Sequence, residues 1–322
     1  MNTREQLLAL TDELRRLKAE GRRTVSVSQE SLDDLRVVLA DEPDAPDFAS
    51  ETVIEPAVPA SVARRETAGS SPVTPFVLPT PSSPPPAAKA KPVLEPRPDI
   101  VLPAGDKATR WNALRAIVLE DATCKANVHP GKQVVFGVGN LDASIMFVGE
   151  APGGDEEDQG EPFVGRAGQL LNRMIKAMGL ERGQVYIGNI LNWRPAMGVR
   201  NADGSQTGNR PPTPEEMNYC LPFIRAQIAI VQPKVLVALG KTAVDGLLGA
   251  DRFKSMGAAR GTWHSYADTP LRATYHPSYL LRQEGLVSAA AKKIKRDAWE
   301  DLLAVMERAG LEPSEKQRNY FL

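Results

Sequence analysis

Residues 143–158 read ASIMFVGEAPGGDEED. A run of six residues with only one polar member, 143–148, gives way at once to glycine, proline and carboxylates. A strand with one wet face alternates apolar and polar residues, whereas a near-continuous apolar run suits a strand covered on both faces, as in a parallel sheet. Two further runs have the same character, 185–191 (VYIGNIL) and Val235–Leu239 (VLVAL). Helical spacing fills the gaps between them, at 168–178, Pro214–Val231 and Lys241–Leu248, with a helix over 107–122 before the first run and a long one over about 288–309 at the end. Strands alternating with helices imply crossover connections. The fold class expected is therefore α/β, a three-layer α/β/α sandwich around a mostly parallel central sheet.

Away from this block the chain changes character. Leu7, Leu8, Leu10, Leu14 and Leu17 fall at helical spacing among charges, and Leu32, Leu35, Val38 and Leu39 follow Ser28 and Ser31 as N-cap candidates. Residues 1–41 thus read as a short helical N-terminal segment, either a simple hairpin or a docking element for a protein partner. Fifteen of the 27 prolines fall between residues 42 and 103. Each removes a backbone donor and fixes φ, so 42–105 is expected to be a disordered Pro/Ala-rich linker with no core of its own. Residues 106–322 are expected to be the folded domain.

Composition narrows the function class. Hydrophobic residues are 42% and charged residues 25%, which excludes a wholly disordered chain. No apolar run is long enough to span a bilayer, and the N-terminus MNTREQLLALTDELRRLKAE lacks the features of a secretory signal. The expectation is a cytoplasmic protein, monomeric, without membrane contact. Two cysteines, Cys124 and Cys220, exclude a disulfide scaffold. No GxxxxGK[ST] string is present, which disfavours a P-loop ATPase. Residues 1–105 carry 12 Lys/Arg against 16 Asp/Glu and the remainder 27 against 24. That small positive excess permits a local DNA contact without requiring one.

Open α/β sheets bind ligands beyond the carboxyl ends of their strands. After the first strand come Gly149 and five carboxylates within nine residues, at 150, 155, 156, 157 and 158, with Phe163 close behind. Such a loop is either a solvated acidic turn or a place where backbone approaches a ligand closely. Asn189 ends the second run; an amide both donates and accepts, so it reads a base edge or forms a turn. His276, one of three histidines with His129 and His264, sits on a strand-end loop before Pro277 and Ser278.

Four strings in order, GEAPG (149–153), PFVGRAGQLL (162–171), NRPPTPEE (209–216) and HPSYLLR (276–282), resemble the uracil-DNA glycosylase superfamily, specifically its family four, which usually carries an iron–sulfur cluster. The resemblance covers about residues 110–305. It implies a DNA repair enzyme that flips uracil out of DNA and hydrolyses its N-glycosidic bond, leaving an abasic site, with uracil-containing DNA as partner. It also implies roles. Glu150 positions or activates the attacking water, Glu156 is a second acidic helper, and His276 stabilises the departing base. Gly149, Phe163 and Asn189 bind the base, Phe163 by stacking and Asn189 through the uracil edge. Ser278, Leu280 and Arg282 contact DNA, Leu280 as the wedge into the duplex. A glycosylase-like binding protein without activity, or a glycosylase for another deaminated base, are the alternatives.

The chain departs from the family pattern in one respect that bears on a cofactor. Four cysteines normally hold the [4Fe–4S] cluster. Here only Cys124 and Cys220 match; Asn127 and Trp193 occupy the other two places. Two thiolates cannot hold the cube, so no cofactor is expected, and Trp193 is expected to fill the space by packing. Residues 197–208 form an insertion containing Gly, Asn, Asp and Ser, expected to be a surface loop.

Overall fold

A computed structural model describes Leu94, Arg97 and residues 100–197, 206–284 and 288–321. The expected N-terminal helices, most of the linker and much of the insertion lie outside these residues. Among the described residues, no helix is long and apolar enough to cross a membrane.

The elements run α1 (Lys107–Glu120), α2 (Ala122–Asn127), β1 (Val138–Gly139), β2 (Ile145–Gly149), α3 (Gly154–Gln159), α4 (Arg166–Ala177), a 3-10 turn, β3 (Tyr186–Asn189), α5 (Pro214–Val231), β4 (Val235–Leu239), α6 (Lys241–Leu248), α7 (Met256–Ala259), β5 (Trp263–Tyr266), β6 (Thr269–Thr274), α8 (Pro277–Arg282), α9 (Ala289–Ala309) and α10 (Glu315–Arg318). The six strands form one sheet in the order β1-β3-β2-β4-β6-β5. The four central strands are parallel, and the two edge strands pair antiparallel.

The central strands are parallel because helical crossovers connect them, and those helices cover both faces of the sheet. In β2, Ile145 and Phe147 face one layer with Val235, Val237, Leu171, Ile175 and Leu302. Met146 and Val148 face the other, with Ile224, Ile228, Val244 and Leu247. Alternate residues of a strand point to opposite faces, so both sets must be apolar, and the unbroken run in the sequence is the consequence. Each such large aliphatic side chain contributes about 1.5–3 kcal/mol on burial. Thr213 caps α5 by accepting from the Glu216 amide at 3.2 Å while Glu216 Oε2 accepts from the Thr213 amide at 2.8 Å, a capping box that fixes where the helix begins.

A third apolar cluster joins Leu114 and Val118 of α1, Cys124 of α2, Leu191, Trp193, and Cys220 and Phe223 of α5. Leu94, Ile100 and Leu102 pack against it. The Arg97 guanidinium lies over the Phe223 ring at 4.9 Å, donates to the Tyr219 hydroxyl at 3.1 Å and pairs with Asp121. Leu94, Arg97, Ile100 and Leu102 fall inside the expected linker, 42–105, and their apolar and cationic side chains pack on this cluster.

Register matters most at the carboxyl ends. Gly149 stands opposite Asn189 across β2 and β3, and Leu239 opposite Thr274 across β4 and β6. The loops leaving all four strands consequently start at one rim.

Candidate active site

Gly149 sets the tightest contact on that rim. A Cβ on this residue would stand 2.5 Å from Asn189 Oδ1 and 2.5 Å from Phe163 Cε2. Only a residue without a side chain lets the amide and the aromatic ring converge over the end of β2. Asn189 is buried, and its Oδ1 meets no donor among the described residues. A buried, unpaired amide oxygen costs about 1–3 kcal/mol, so it marks a place prepared for a polar ligand.

Phe163 is held in a conformation that it would not adopt alone, with φ of +54°. Non-glycine residues rarely enter this region, and persistence there requires restraint from the surroundings. Three restraints converge on it. Glu156 Oε1 accepts from the amides of Val164 at 3.1 Å and Gly165 at 3.0 Å, while its Oε2 accepts from the Gly153 amide at 3.0 Å. Arg182 donates to the carbonyls of Phe163 at 3.1 Å and Pro162 at 2.6 Å. Gly168 lets α4 approach so closely that a Cβ there would collide with the Phe163 carbonyl. Glu156, expected beside Glu150 as a second acidic group, thus has both oxygens turned to backbone amides and braces the loop that carries the aromatic.

The other carboxylates of the acidic run part company too, because the helical turn of α3 points them in different directions. Glu157 is buried between Arg194 at 2.9 Å and His129 at 2.6 Å, and Asp158 pairs with Lys132. Glu150 accepts from the Thr242 hydroxyl at 2.6 Å. Its backbone continues the β2–β3 pairing, with the Leu191 amide donating to the Glu150 carbonyl at 3.0 Å.

His276 caps α8. Its Nδ1 accepts from the Ser278 amide at 3.1 Å and lies 2.8 Å from the Ser278 hydroxyl. With Nδ1 accepting, the proton of the neutral ring belongs on Nε2. Burial, and then the positive charge of Arg282, push the imidazole down to about 4, so the ring is neutral at physiological pH. The Phe163 and His276 ring centroids are 5.6 Å apart. Behind the histidine, a Cβ on Gly240 would lie 2.9 Å from His276 Cβ.

The three expected DNA contacts fare differently. Ser278 is engaged with His276. Arg282 is exposed, its guanidinium over the Tyr279 ring at 5.6 Å. Leu280, expected to project as a wedge, is buried at 6% exposure, because α8 turns this apolar residue inward. Arg182, Gly168 and Thr242 were given no role in the sequence reading of the site, although Gly168 lies in the string 162–171 and Thr242 follows directly on the end of β4.

In the third apolar cluster, Cys124 and Cys220 are fully buried free thiols. The neighbouring Cys220 thiol, and then burial, push the Cys124 thiol far above its ordinary range. Asn127 turns its amide to the Thr123 carbonyl at 2.9 Å. Trp193 is buried at 1% exposure beside Tyr219, with ring centroids 6.2 Å apart. Among the described residues, no group of three or more His, Cys, Asp or Glu side chains is placed to hold a metal ion.

The family model for the uracil DNA glycosylase superfamily matches residues 136–303, which contain every side chain of the rim described above. Type-4 uracil-DNA glycosylases are among the relatives. That of Thermotoga maritima is 40% identical over 170 residues, 52% of this chain and 79% of the relative. That of Archaeoglobus fulgidus is 38% identical over 177 residues, 52% and 83% of the two chains. That of Pyrobaculum aerophilum is 36% identical over 161 residues, 48% and 76%. With half of its length matched by the family model and most of each relative covered, the chain belongs to the uracil-DNA glycosylase superfamily, in its type-4 branch.

Proposed function

We propose that this chain is an active uracil-DNA glycosylase that accepts uracil flipped out of DNA and hydrolyses its bond to the sugar. The observation that carries the reading is that Phe163 and Asn189 meet over Gly149 with His276 beside the Phe163 ring, while the Asn189 oxygen meets no donor among the described residues. A base inside a stacked duplex is out of reach, so extrusion at a few kcal/mol precedes chemistry. Stacking on Phe163 returns about 1–3 kcal/mol. The Asn189 amide pairs with the uracil edge through one donor and one acceptor. Arg282 contacts a phosphate near the flipped nucleotide, and Leu280 enters the duplex only when α8 releases it.

In the reaction the bond from C1′ to uracil N1 breaks and a bond from C1′ to a water oxygen forms. The electron pair of the broken bond goes to uracil, where the charge concentrates on O2. The Nε2–H of neutral His276 donates to that oxygen; one such donor is worth roughly 3–4 kcal/mol in the transition state. The neutral imidazole is a very weak acid, so it stabilises the anion by hydrogen bonding while keeping its own proton. Glu150 steadies the positive charge growing on the sugar, orients the water and takes its proton. Glu156 acts on the loop of Phe163 rather than on substrate.

Nothing in this scheme passes through an iron–sulfur cluster. The residues at the family's cluster position do not fit one: only two thiols are present, and an indole and an amide stand where two more thiolates are needed. We read this region as a packed core that does without the metal. Residues 1–41 remain our candidate for a protein-partner segment joined by the linker, and we read the enzyme as a monomer.

The test is excision from single- and double-stranded oligonucleotides with one uracil, followed by alkali. Scission at the uracil alone is the expected result. A gel shift without scission would replace this reading with a binding role, and scission only at hypoxanthine or xanthine would reassign the base.

A further inference from the structure

The turn from β4 into α6 touches both groups that the proposed reaction needs. Its first residue, Gly240, has φ of +86° and presses against His276, while its amide donates to the Thr274 carbonyl at 2.9 Å. Its third residue, Thr242, sends its hydroxyl to Glu150 Oε2 at 2.6 Å, across 92 positions of sequence. Lys241 between them turns away to Asp245 at 2.7 Å.

A glutamate side chain has three rotatable bonds, and orienting it costs on the order of 1.5–2 kcal/mol of rotamer freedom. A short, charge-assisted hydrogen bond from a rigid donor offsets that cost. Thr242 is such a donor: it is β-branched, and it occupies the first turn of an eight-residue helix. The positive end of α6 also favours an ionised carboxylate beside it. We propose that Thr242 is a positioning residue for glycosidic-bond hydrolysis, locking the Glu150 carboxylate at the water site while Gly240 of the same turn sets its distance from His276. The inference rests on the role of Glu150 proposed above.

Single-turnover excision by the full chain, with enzyme varied above substrate, separates binding from chemistry. T242V lowers the maximal rate by about 10- to 100-fold, the worth of one hydrogen bond to a charged group, and leaves the half-saturating enzyme concentration unchanged. T242S, which restores the hydroxyl, comes within about 3-fold of the parent. Adding T242V to E150Q costs nothing further, since the two act through one carboxylate. Should T242V unfold early in a denaturant series, T242A takes its place with the same expectations. A parent-like rate for T242V, a defect confined to binding, or losses that multiply with those of E150Q each overturn the proposal. A parent chain that excises no uracil sinks the glycosylase reading itself, whereas an active parent beside an unaltered T242V sinks this inference alone.

Discussion

The depressed pKa of His276 makes a quantitative claim about acid stability. The unfolded chain binds a proton on this residue near the ordinary value of 6.5, and the folded chain only near 4. Between those values the unfolded state holds more protons, so stability is complete above about pH 6.5 and drains away as the pH falls toward 4. With these two constants, moving from pH 7.5 to pH 5 costs about 2 kcal/mol from this one side chain. The perturbation is H276Q, which cannot titrate. The assay is urea unfolding by tryptophan fluorescence at both pH values. All four tryptophans lie between residues 111 and 299, so the signal reports the folded domain and not the N-terminal segment. His129 and His264 are common to both proteins and cancel in the comparison. The parent should lose about 2 kcal/mol more than H276Q on acidification. Parallel losses would refute the reasoning, because they would mean an imidazole that titrates alike in both states. H276Q should also slow excision by about 10²–10³-fold at neutral pH, as loss of an oxyanion donor does.

Substitutions at four other positions probe the site and its surroundings. G149A should lower excision by at least about 100-fold while leaving the fold intact, because its Cβ would enter the space of Phe163 and Asn189, where near-attack geometry is lost; an unimpaired G149A would show that the base binds elsewhere. E156Q should cost about 1–3 kcal/mol of stability, since one of its two acceptors becomes a donor facing a backbone amide, whereas E150Q should cost activity with little stability; the reverse pattern in denaturation and excision assays would exchange their roles. W193A should cost about 3–5 kcal/mol and W193F far less, since phenylalanine drops an indole N–H that finds no acceptor among the described residues. Anaerobically purified protein should contain no stoichiometric iron or sulfide, and about four irons per chain would contradict the packed-core reading.

The sequence disclosed the sheet's centre because double burial forces a continuous apolar run, and Ile145–Gly149 and Val235–Leu239 are such runs. It hid the edges for the same reason. β1 has two residues, and Trp263–Tyr266 alternates exposed and half-buried positions, so neither stands out from a loop. The grouping of Gly149, Asn189 and His276 on one rim was legible because each lies at or just after a strand end. The site was not legible where chemistry depends on contacts between distant positions. Glu156 looks like a catalytic acid by type, yet its place as the third residue of α3 makes it a clamp for backbone amides. The Gly-x-x-Glu spacing at 153–156 is a helix-start pattern that held this clue. Arg182 reaches Phe163 across 19 positions, and Thr242 reaches Glu150 across 92. Leu280 shows the converse: a residue type suited to wedging a duplex also packs well in a core, so its type alone does not foretell that it is buried here.

A crystal structure of the chain with free uracil bound puts the shared pocket to the most direct trial. The account predicts the base lying on the Phe163 ring, its N3–O4 edge on the Asn189 amide and its O2 within hydrogen-bond reach of His276 Nε2. Uracil seated away from Gly149, or in that place with neither Asn189 nor His276 in contact, would contradict it.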